Sequence, residues 1–348
     1  MRILGIETSC DDSAAAVVDD DRILANVISS QGIHREYGGV VPEYASRAHM
    51  RLLLPVIRHA LDLANLQTRD LEAIAVTYGP GLAGSILVGL NVAKSMALAL
   101  NIPWVGVNHL EGHIFANFLG QAKPPVPFLC LIVSGGHTQL VIVEAEGRYR
   151  TIGRTIDDAA GEAFDKVARV LGLGYPGGPA LAHLAESGNP HAIAFPRPMM
   201  EEGNLDFSFS GIKTAVLYYV QGLGEEEARR QLPDIAASFQ AAVVDVLVRK
   251  TMAAAAKWHM RTICLAGGVA ANTALREALE TEAESQGCRL YVPPQELCTD
   301  NAAMIARAGL SRIERGERAA DELRPEPALT LGFEEEATLS RHNPCTAP

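Results

Sequence analysis

The sequence predicts an α/β protein with mixed sheets that is made of two related halves. Short β-branched runs alternate with longer segments whose apolar residues recur at helical spacing, which is the pattern of α/β folds. A strand–turn–strand pattern at residues 2–18 returns at 128–143, which favours a duplication over two unrelated hairpins. The 348 residues suit about two domains or one duplicated fold.

The first half is predicted to contain a hairpin, two helices and a further strand. Residues 2–8 are apolar and β-branched, the polar turn SCDD follows, and 14–18 form the second strand. Residues 47–64 carry apolar side chains at helical spacing. Residues 73–77 predict a strand, the string GPGLAGS a glycine-rich bend, and 86–100 a helix of small residues that can pack closely.

The second half repeats this alternation of strands and helices. Residues 128–133 and 138–143 flank the turn SGG and form the second hairpin. The later elements are a helix at 157–171 that ends in GLGYPGGP, an alanine-rich helix at 235–258, a buried strand at 262–266 and a helix at 272–286. Residues 336–348 have no periodicity and are predicted to be a disordered tail.

Composition excludes wholesale disorder, because 48% of the residues are apolar and 20% are charged. The formal net charge of −11 excludes binding to nucleic acid through bulk charge alone. A specific RNA substrate stays possible if basic residues cluster or a partner supplies them. Arg47, Arg51, Arg58, His49 and His59 lie on one predicted helix, where a solvated or partner-facing surface is the alternative to an RNA contact.

The six cysteines are scattered and form no C-x-x-C pair, which is typical of a reduced, cytosolic protein. The acidic residues Glu7, Asp11 and Asp12 interrupt any secretory signal. The most apolar stretch, residues 96–107, is too short to span a bilayer. The sequence therefore predicts a cytoplasmic protein with no membrane attachment.

The sharpest chemical motif is His109-Leu-Glu-Gly-His113. Two histidines four residues apart project from the same face of a helix and can bind one metal ion. The string resembles the H-E-x-x-H motif of zinc proteases, but Leu110 stands where the protease base belongs. Glu111 lies about 200° around the helix from His109 and so points away from the metal. The motif favours a metal site over a protease, with two surface histidines as the alternative.

A third metal ligand is expected, because two histidines and one carboxylate form a recurring open site for iron or zinc. Spacing does not select that carboxylate among the 41 acidic residues. Asp300, in the string CTDNAAMIA, is a candidate because it stands at the predicted start of a helix, where an acid can equally serve as a cap.

Three glycine pairs, at 135–136, 177–178 and 267–268, can hold a phosphate through backbone N–H groups, although most glycine pairs only form turns. Neither a P-loop string nor a G-x-G-x-x-G string opening a strand-to-helix unit is present. Asn272 follows the last pair and can cap a helix, line a nucleotide pocket, or do both.

Four carboxylates lie within nine residues and form either a solvated helix face or a contact to a ribose or metal. They are Asp157, Asp158, Glu162 and Asp165. Ser134 stands beside His137 at a predicted hairpin tip, but the flanking residues lack the G-x-S-x-G elbow of serine hydrolases.

Nine strings together resemble the bacterial TsaD family of tRNA N(6)-adenosine threonylcarbamoyltransferases. In chain order they are ETSCDDS, YGGVVPEYASRAH, GPGLAGS, NHLEGH, LIVSGGHTQL, DDAAGEAFDKVARVLGLGYPGGP, DFSFSGIKTA, AGGVAANTALR and CTDNAAMIA. They span about residues 1–335. The first turn reads CDDS where family members commonly read CDET, so the side chain of Asp12 is one methylene shorter than the usual glutamate.

This resemblance implies an actin/Hsp70/sugar-kinase-like (ASKHA) duplicated fold, with a nucleotide cleft between two lobes. Residues 1–118 and 297–335 are expected to form the first lobe and 119–296 the second. The implied reaction transfers the threonylcarbamoyl group of threonylcarbamoyl-AMP to the exocyclic amine of the adenosine beside the anticodon, in tRNAs that read codons beginning with A. The implied helpers are a shorter TsaB-like paralogue and a TsaE-like ATPase, with helices of the first lobe as the pairing face.

The resemblance also implies the roles of individual residues, carried over where the strings match. His109, His113 and Asp300 match ligands of one divalent metal ion, iron(II) or zinc. The positions that match adenylate-binding residues are Ile132, Val133, Ser134, Gly135, Gly136, Asp165, Gly178 and Asn272. Asp11, on the first hairpin tip, is the candidate to orient the incoming amine or assist its deprotonation.

Two other classes of function stay open on sequence grounds. A metallopeptidase would use the two-histidine site, and Leu110 in the base position counts against it. A nucleotide-binding module that senses ATP or scaffolds a complex would need no chemistry of its own.

Overall fold

The computed structural model describes residues 1–120 and 122–332, which form two five-stranded sheets and ten α-helices. The tail predicted at 336–348 lies outside the described residues. The strands are β1 (Arg2–Glu7), β2 (Asp12–Asp19), β3 (Arg22–Ser30), β4 (Ala73–Gly79), β5 (Trp104–Asn108), β6 (Phe128–Val133), β7 (Thr138–Ala145), β8 (Arg148–Arg154), β9 (Thr262–Ala266) and β10 (Arg289–Tyr291). The helices are α1 (His34–Tyr37), α2 (Pro42–Leu63), α3 (Ala83–Leu100), α4 (His109–Ala116), α5 (Ala160–Val170), α6 (Gly177–Ala185), α7 (Ser210–Leu223), α8 (Glu225–Lys257), α9 (Thr273–Ser285) and α10 (Ala302–Glu314).

The two sheets have the same topology. Read from the same end, the first has the order β3-β2-β1-β4-β5 and the second β8-β7-β6-β9-β10. β1 pairs antiparallel with β2 and parallel with β4, and β6 pairs antiparallel with β7 and parallel with β9. A hairpin thus opens each sheet, and the repeated connectivity confirms the predicted duplication.

Helices α4 and α10 lie between the two sheets. Their apolar side chains share one buried core with Ile3 and Ala75 of the first sheet and with Phe128 and Cys130 of the second. The backbones approach closely, since a Cβ atom at Gly5 of β1 would lie 2.1 Å from a carbonyl oxygen of α10. Glycine is therefore required where α10 crosses the central strand.

The outer face of each sheet is covered by helices from its own half of the chain. Helices α2 and α3 pack on the first sheet around Leu53, Ile57 and Leu90. Helices α5 to α9 pack around the second sheet, where the Phe164 and Phe239 rings meet edge to face with centroids 5.1 Å apart. Each lobe therefore has its own core besides the core that the two sheets share.

Several helices begin at residues other than those predicted, and α2 and α3 begin at Pro42 and Ala83 rather than at residues 47 and 86. α8 begins at Glu225 rather than at residue 235, because Pro233 interrupts the sequence pattern but is accommodated inside the helix. α5 begins at Ala160 rather than at residue 157, because the carboxylate of Asp157 accepts hydrogen bonds from two serine hydroxyls next to α7 instead of starting a helical turn.

Two helices are long and apolar enough to cross a membrane by length and composition alone. They are Ala83–Leu100 and Glu225–Lys257, with mean hydropathies of 1.5 and 1.2 in their most apolar windows. Both pack on the sheets described above, and core helices of water-soluble proteins meet the same criteria. They are therefore weak support for a membrane span.

Candidate metal centre and adjoining cleft

Helix α4 begins where the buried strand β5 ends and carries two of the predicted metal ligands. The side chain of Asn108 caps the helix, because its Oδ1 accepts a hydrogen bond from the backbone N–H of Leu110 at 2.8 Å. His109 and His113 lie one turn apart on the same face, and both are buried. The alternative of two surface histidines is therefore wrong.

Asp300 meets both histidines, although it lies almost two hundred residues further along the chain. Its Oδ1 atom lies 3.4 Å from His109 Nε2 and 3.2 Å from His113 Nε2. One ligand atom from each of the three residues lies within 4.8 Å of the other two. Asp300 does not cap the following helix, because the Asn301 side chain accepts the hydrogen bond from Met304 N at 3.0 Å instead.

The residues of this triad fit a divalent metal ion. Within the described residues, neither ring nitrogen of the buried His113 has a hydrogen-bond partner, although Nε2 faces Asp300. A buried imidazole with two unsatisfied nitrogens is costly unless a ligand binds one of them. Two imidazoles and one carboxylate converging on a single point are a donor set that suits iron or zinc.

Electrostatics keep Asp300 ionised and His113 neutral, whereas His109 is the ligand that must lose a proton when a cation binds. Burial alone would raise the pKa of Asp300, but the two imidazoles hold it well below its usual range. Burial lowers the pKa of His113 and keeps its ring neutral. Burial also disfavours a charged His109, but Asp300 and Glu7 outweigh it and raise the pKa of that imidazole well above its usual value.

Glu111 faces away from the triad, as the helical geometry predicts. Its buried carboxylate accepts hydrogen bonds from Arg312 Nε at 2.8 Å and from the Tyr149 hydroxyl at 2.8 Å. Arg312 lies on α10 and Tyr149 on β8, so Glu111 connects α4 to its neighbouring helix and to the second sheet. No protease base stands beside the histidines at this position.

Glu7 is a residue of this centre that the sequence analysis did not identify. It ends β1 and is buried, and its Oε2 lies 3.0 Å from Nδ1 of His109. One signal in the sequence could have identified it, namely a carboxylate at the end of an apolar strand. Glutamate is almost never fully buried without a partner, so a glutamate at such a position indicates a charged or hydrogen-bonding partner nearby.

The second hairpin tip carries His137. The pKa of His137 is lowered to about 4, mainly by burial and to a smaller extent by electrostatic interaction with the histidines of the triad. The tip is closed by hydrogen bonds from Ser134 N to the His137 carbonyl at 2.8 Å and from His137 N to Ser134 Oγ at 3.1 Å. Ser134 therefore shapes a turn, and no nucleophile triad is formed there.

The predicted adenylate residues 132–136 differ in accessibility. Ile132 and Val133 are fully buried in β6, so their side chains belong to the core. Gly135 and Gly136 are exposed at the tip, and within the described residues their backbone N–H groups make no hydrogen bond. The free donors of this segment are therefore on the two glycines.

Asp165 and Gly178 lie together. Oδ1 of Asp165 accepts hydrogen bonds from the backbone N–H groups of Gly177 at 2.8 Å and Gly178 at 3.1 Å, at the start of α6. Burial raises the pKa of Asp165, and these two bonds partly offset that increase. These hydrogen bonds explain why Asp165 and Gly178 occur in the same string, 13 residues apart.

The remaining acids of this region and Asn272 have structural partners. Asp158 and Glu162 form ion pairs with Lys166 at 2.6 and 2.9 Å. Asn272 caps α9 by accepting a hydrogen bond from Leu275 N at 3.0 Å, and its amide donates to the Gln240 side chain at 2.8 Å. The cap interpretation of Asn272 is confirmed, and a nucleotide contact stays a prediction.

The first hairpin tip carries Asp11, and Ser9, which begins this turn, lies beside the triad with its Oγ 3.2 Å from Nδ1 of His109. Hydrogen bonds from His49 Nε2 to the Cys10 carbonyl at 2.9 Å and from Gln31 N to the Asp11 carbonyl at 3.3 Å fix its backbone. The pKa of Asp12 is raised to about 6, mainly by burial and to a smaller extent by the negative charges of Asp300 and Asp11.

Solved structures define the class of fold to which these two lobes belong. Component A of (R)-2-hydroxyglutaryl-CoA dehydratase from Acidaminococcus fermentans aligns with a TM-score of 0.55 and 16% identity, over 90% of this chain and 99% of that chain. HypF from T. kodakarensis aligns with a TM-score of 0.62 and 15% identity, over 90% of this chain and 48% of that chain. The fold is thus that of the ASKHA class, with two duplicated lobes.

Sequence relatives define the family. The family described as TsaD, tRNA N6-adenosine threonylcarbamoyltransferase, matches residues 22–307. Proteins with the same name from Symbiobacterium thermophilum and Moorella thermoacetica are 55% and 54% identical to this chain. The alignments cover 95% and 94% of this chain and 97% of each relative. The chain belongs to the TsaD family of tRNA N6-adenosine threonylcarbamoyltransferases.

Proposed function

We propose that the protein transfers the threonylcarbamoyl group from threonylcarbamoyl-AMP to the exocyclic amine of the adenosine beside the anticodon, in tRNAs that read codons beginning with A. The observation that carries this proposal is the triad of the buried His109 and His113 with the partly exposed Asp300, in a chain of this family. In the reaction, a C–N bond forms between the amine and the carbamoyl carbon. The bond from that carbon to the phosphate oxygen breaks, AMP leaves, and the amine loses one proton.

The triad is proposed to hold one divalent metal ion, iron(II) or zinc, and the same donor set suits both. When bound, that ion supplies Lewis-acid polarisation of the carbamoyl carbonyl. Asp300 stays ionised beside the two imidazoles and so provides the negative ligand of the set. Metal analysis of the purified protein by mass spectrometry decides between the two ions.

The second hairpin tip is proposed to hold the phosphate of the AMP leaving group. The exposed N–H groups of Gly135 and Gly136 are donors that can bind phosphate oxygens and stabilise the charge that develops as AMP leaves. Asp165, Gly178 and Asn272 are proposed to hold the nucleoside part, Asp165 by fixing the glycine turn at the start of α6. Asp11 is proposed to orient the incoming amine or take its proton.

The first lobe is proposed to comprise residues 1–118 and 297–335 and the second 119–296, in a protein that works in the cytoplasm. Helices α2 and α3 are proposed to bind a TsaB-like paralogue, with a TsaE-like ATPase as a further helper. In support, Met50 and Leu54 of α2 and Leu98 of α3 are 71%, 59% and 82% exposed. An apolar surface of this kind is typical of a protein interface.

A transfer assay tests the proposed function directly. Protein with TsaB and TsaE is mixed with unmodified tRNA that reads an A-starting codon and with threonylcarbamoyl-AMP, and the digested tRNA is analysed by mass spectrometry. Threonylcarbamoyl-adenosine is expected with the wild type and not with His113→Ala, which also loses bound metal. Full activity of a metal-free, folded His113→Ala variant would rule out the Lewis-acid role. No product from folded, metal-loaded wild type would favour the scaffold function.

A further inference from the structure

Glu7 has three hydrogen-bond donors around its carboxylate, although it lies at the end of an apolar strand. His109 Nδ1 lies 3.0 Å from Oε2, and the Thr77 hydroxyl donates to the same oxygen at 2.5 Å. The backbone N–H of Ser9 donates to Oε1 at 2.5 Å. Glu7 is only 1% exposed, so these contacts replace water around both oxygens.

The contact with His109 determines which ring nitrogen faces the metal centre. An ionised carboxylate can only accept hydrogen bonds, so Nδ1 of His109 carries a proton and donates it to Glu7. Nε2, which faces Asp300, is therefore the ring nitrogen left to bind a metal ion once it has lost its own proton. His113 has no comparable support, since within residues 1–120 and 122–332 its Nδ1 has no hydrogen-bond partner. Only one of the two histidines is therefore held by an outer carboxylate.

We propose that Glu7 is a positioning residue of the metal centre, which fixes the ring of His109 for metal binding without itself binding the metal. Through the N–H of Ser9, the same carboxylate connects the centre to the hairpin tip that carries Asp11. This inference rests on the metal site proposed above. Outer-shell carboxylates of this kind typically contribute about 10–100-fold to metal affinity.

Glu111 provides a matched control, because it is equally buried and lies on the metal-bearing helix. It accepts hydrogen bonds from Tyr149 and Arg312, and among the described residues it forms no hydrogen bond or ion pair with either histidine ring. Replacing either glutamate with glutamine should lower the unfolding midpoint, because each change leaves buried donors without their charged acceptor. Only the Glu7 change should also alter the metal centre.

The experiment measures metal affinity rather than activity. Wild type, Glu7→Gln and Glu111→Gln are prepared as full chains, and each is titrated with Zn²⁺ in competition with a chromophoric chelator. Thermal unfolding of each variant and the visible spectrum with Co²⁺ are recorded in parallel. We expect Glu7→Gln to weaken Zn²⁺ binding by roughly 10–100-fold and to change the Co²⁺ spectrum, and Glu111→Gln to leave both unchanged.

Two results would overturn the inference while leaving the metal site in place. One is an unchanged affinity in Glu7→Gln, and the other is an equal loss in both variants, which would indicate general destabilisation. A wild type that binds no Zn²⁺ would remove the metal site and the inference together. If Glu7→Gln fails to fold, Thr77→Val removes one donor to Glu7 with little change of shape. It should weaken Zn²⁺ binding by a smaller factor, and no change would equally overturn the inference.

Discussion

At the scale of single residues, three carboxylates around α4 differ in role because their neighbours differ. Asp300 faces two imidazoles, Glu7 accepts from the outer nitrogen of one of them, and Glu111 pairs with Arg312 on the opposite side. The sequence identified Glu111 as pointing away because helical geometry fixes that angle. It did not identify Glu7, because the contact joins residues about a hundred positions apart.

Asp300 and its neighbour Asn301 should separate metal binding from helix capping. Asp300→Ala should abolish metal binding, because it removes the only carboxylate of the triad. Asn301→Ala should keep the ligands but lower the free energy of unfolding by about 2 kcal/mol, because the N-cap of α10 and its buried hydrogen bonds are lost. Metal analysis and urea unfolding of both variants check this, and the reverse pattern would contradict it.

Asp12 should make stability depend on pH in the metal-free protein. Its pKa rises from 3.8 to about 6 on folding, mainly through burial. The folded protein therefore binds this proton more tightly than the unfolded chain, and its contribution to stability is lost as the pH rises from about 4 to about 6.

Asp12→Asn should remove that slope and be more stable than the wild type at neutral pH. Urea unfolding of chelator-treated protein at several pH values measures this effect. Asp20→Asn, an exposed change at the other end of β2, is the control. Parallel pH profiles of wild type and Asp12→Asn would contradict the prediction.

At the scale of elements, close packing of α4 against α10 brings the three ligands together. A Cβ atom at Gly112 would lie 2.6 Å from the Cδ1 atom of Ile305. Gly112 therefore serves the motif by letting the two helices approach, while His109 and His113 face the centre and Glu111 faces Arg312. The packing of α4 against α10 thus explains why the string HLEGH has a glutamate, a glycine and a histidine as its last three residues.

Gly112→Ala should push α4 and α10 apart. We expect a loss of about 1–3 kcal/mol in the free energy of unfolding, because the core at this contact is overpacked, and weaker metal binding. Gly222→Ala in α7 is the matched control, because no atom lies within 4 Å of its Cβ position, and it should gain up to about 1 kcal/mol from helix propensity. Unfolding and Zn²⁺ titration of both variants give the comparison.

The sequence predicts the bounds of a helix or strand well where a single local pattern of residues determines them. The strands at 128–133 and 262–266 were predicted with their observed bounds, because both are buried runs flanked by turn residues. The strands β3 and β8 were not predicted, because each is an edge strand with exposed polar residues and weak alternation. The start of α8 was placed too late because Pro233 is a local signal that tertiary packing overrides.

At the scale of the whole molecule, the two lobes share a buried apolar core as well as polar contacts. Side chains of both sheets and of α4 and α10 belong to one core, and the Tyr149 hydroxyl of β8 donates to Glu111 of α4. The duplication could be predicted because it repeats a strand pattern. The meeting of Asp300 with the histidines could not, because spacing along the chain does not determine which acid among 41 folds back onto α4.

The net charge of −11 makes local basic residues and partners important for an RNA substrate. Arg51 and Arg58 are exposed on α2. Reversing both charges with Arg51→Glu and Arg58→Glu should weaken binding of TsaB or of tRNA by roughly tenfold. The control reverses two exposed charges on α8, Arg229→Glu and Lys257→Glu. Binding titrations with each partner measure the effect, and no change in either affinity would contradict the proposed surface.

Along the chain, all strands of the second sheet lie between the two histidines and Asp300, and this order affects how the protein folds during biosynthesis. At about 5–20 residues per second, the ribosome releases residue 300 on the order of 10–40 s after His113. Until α10 emerges, the apolar face of α4 and the inner face of β1 lack the helix that covers them. The nascent chain therefore exposes its central core through most of translation, and this core is covered only when α10, the last helix among the described residues, leaves the ribosome.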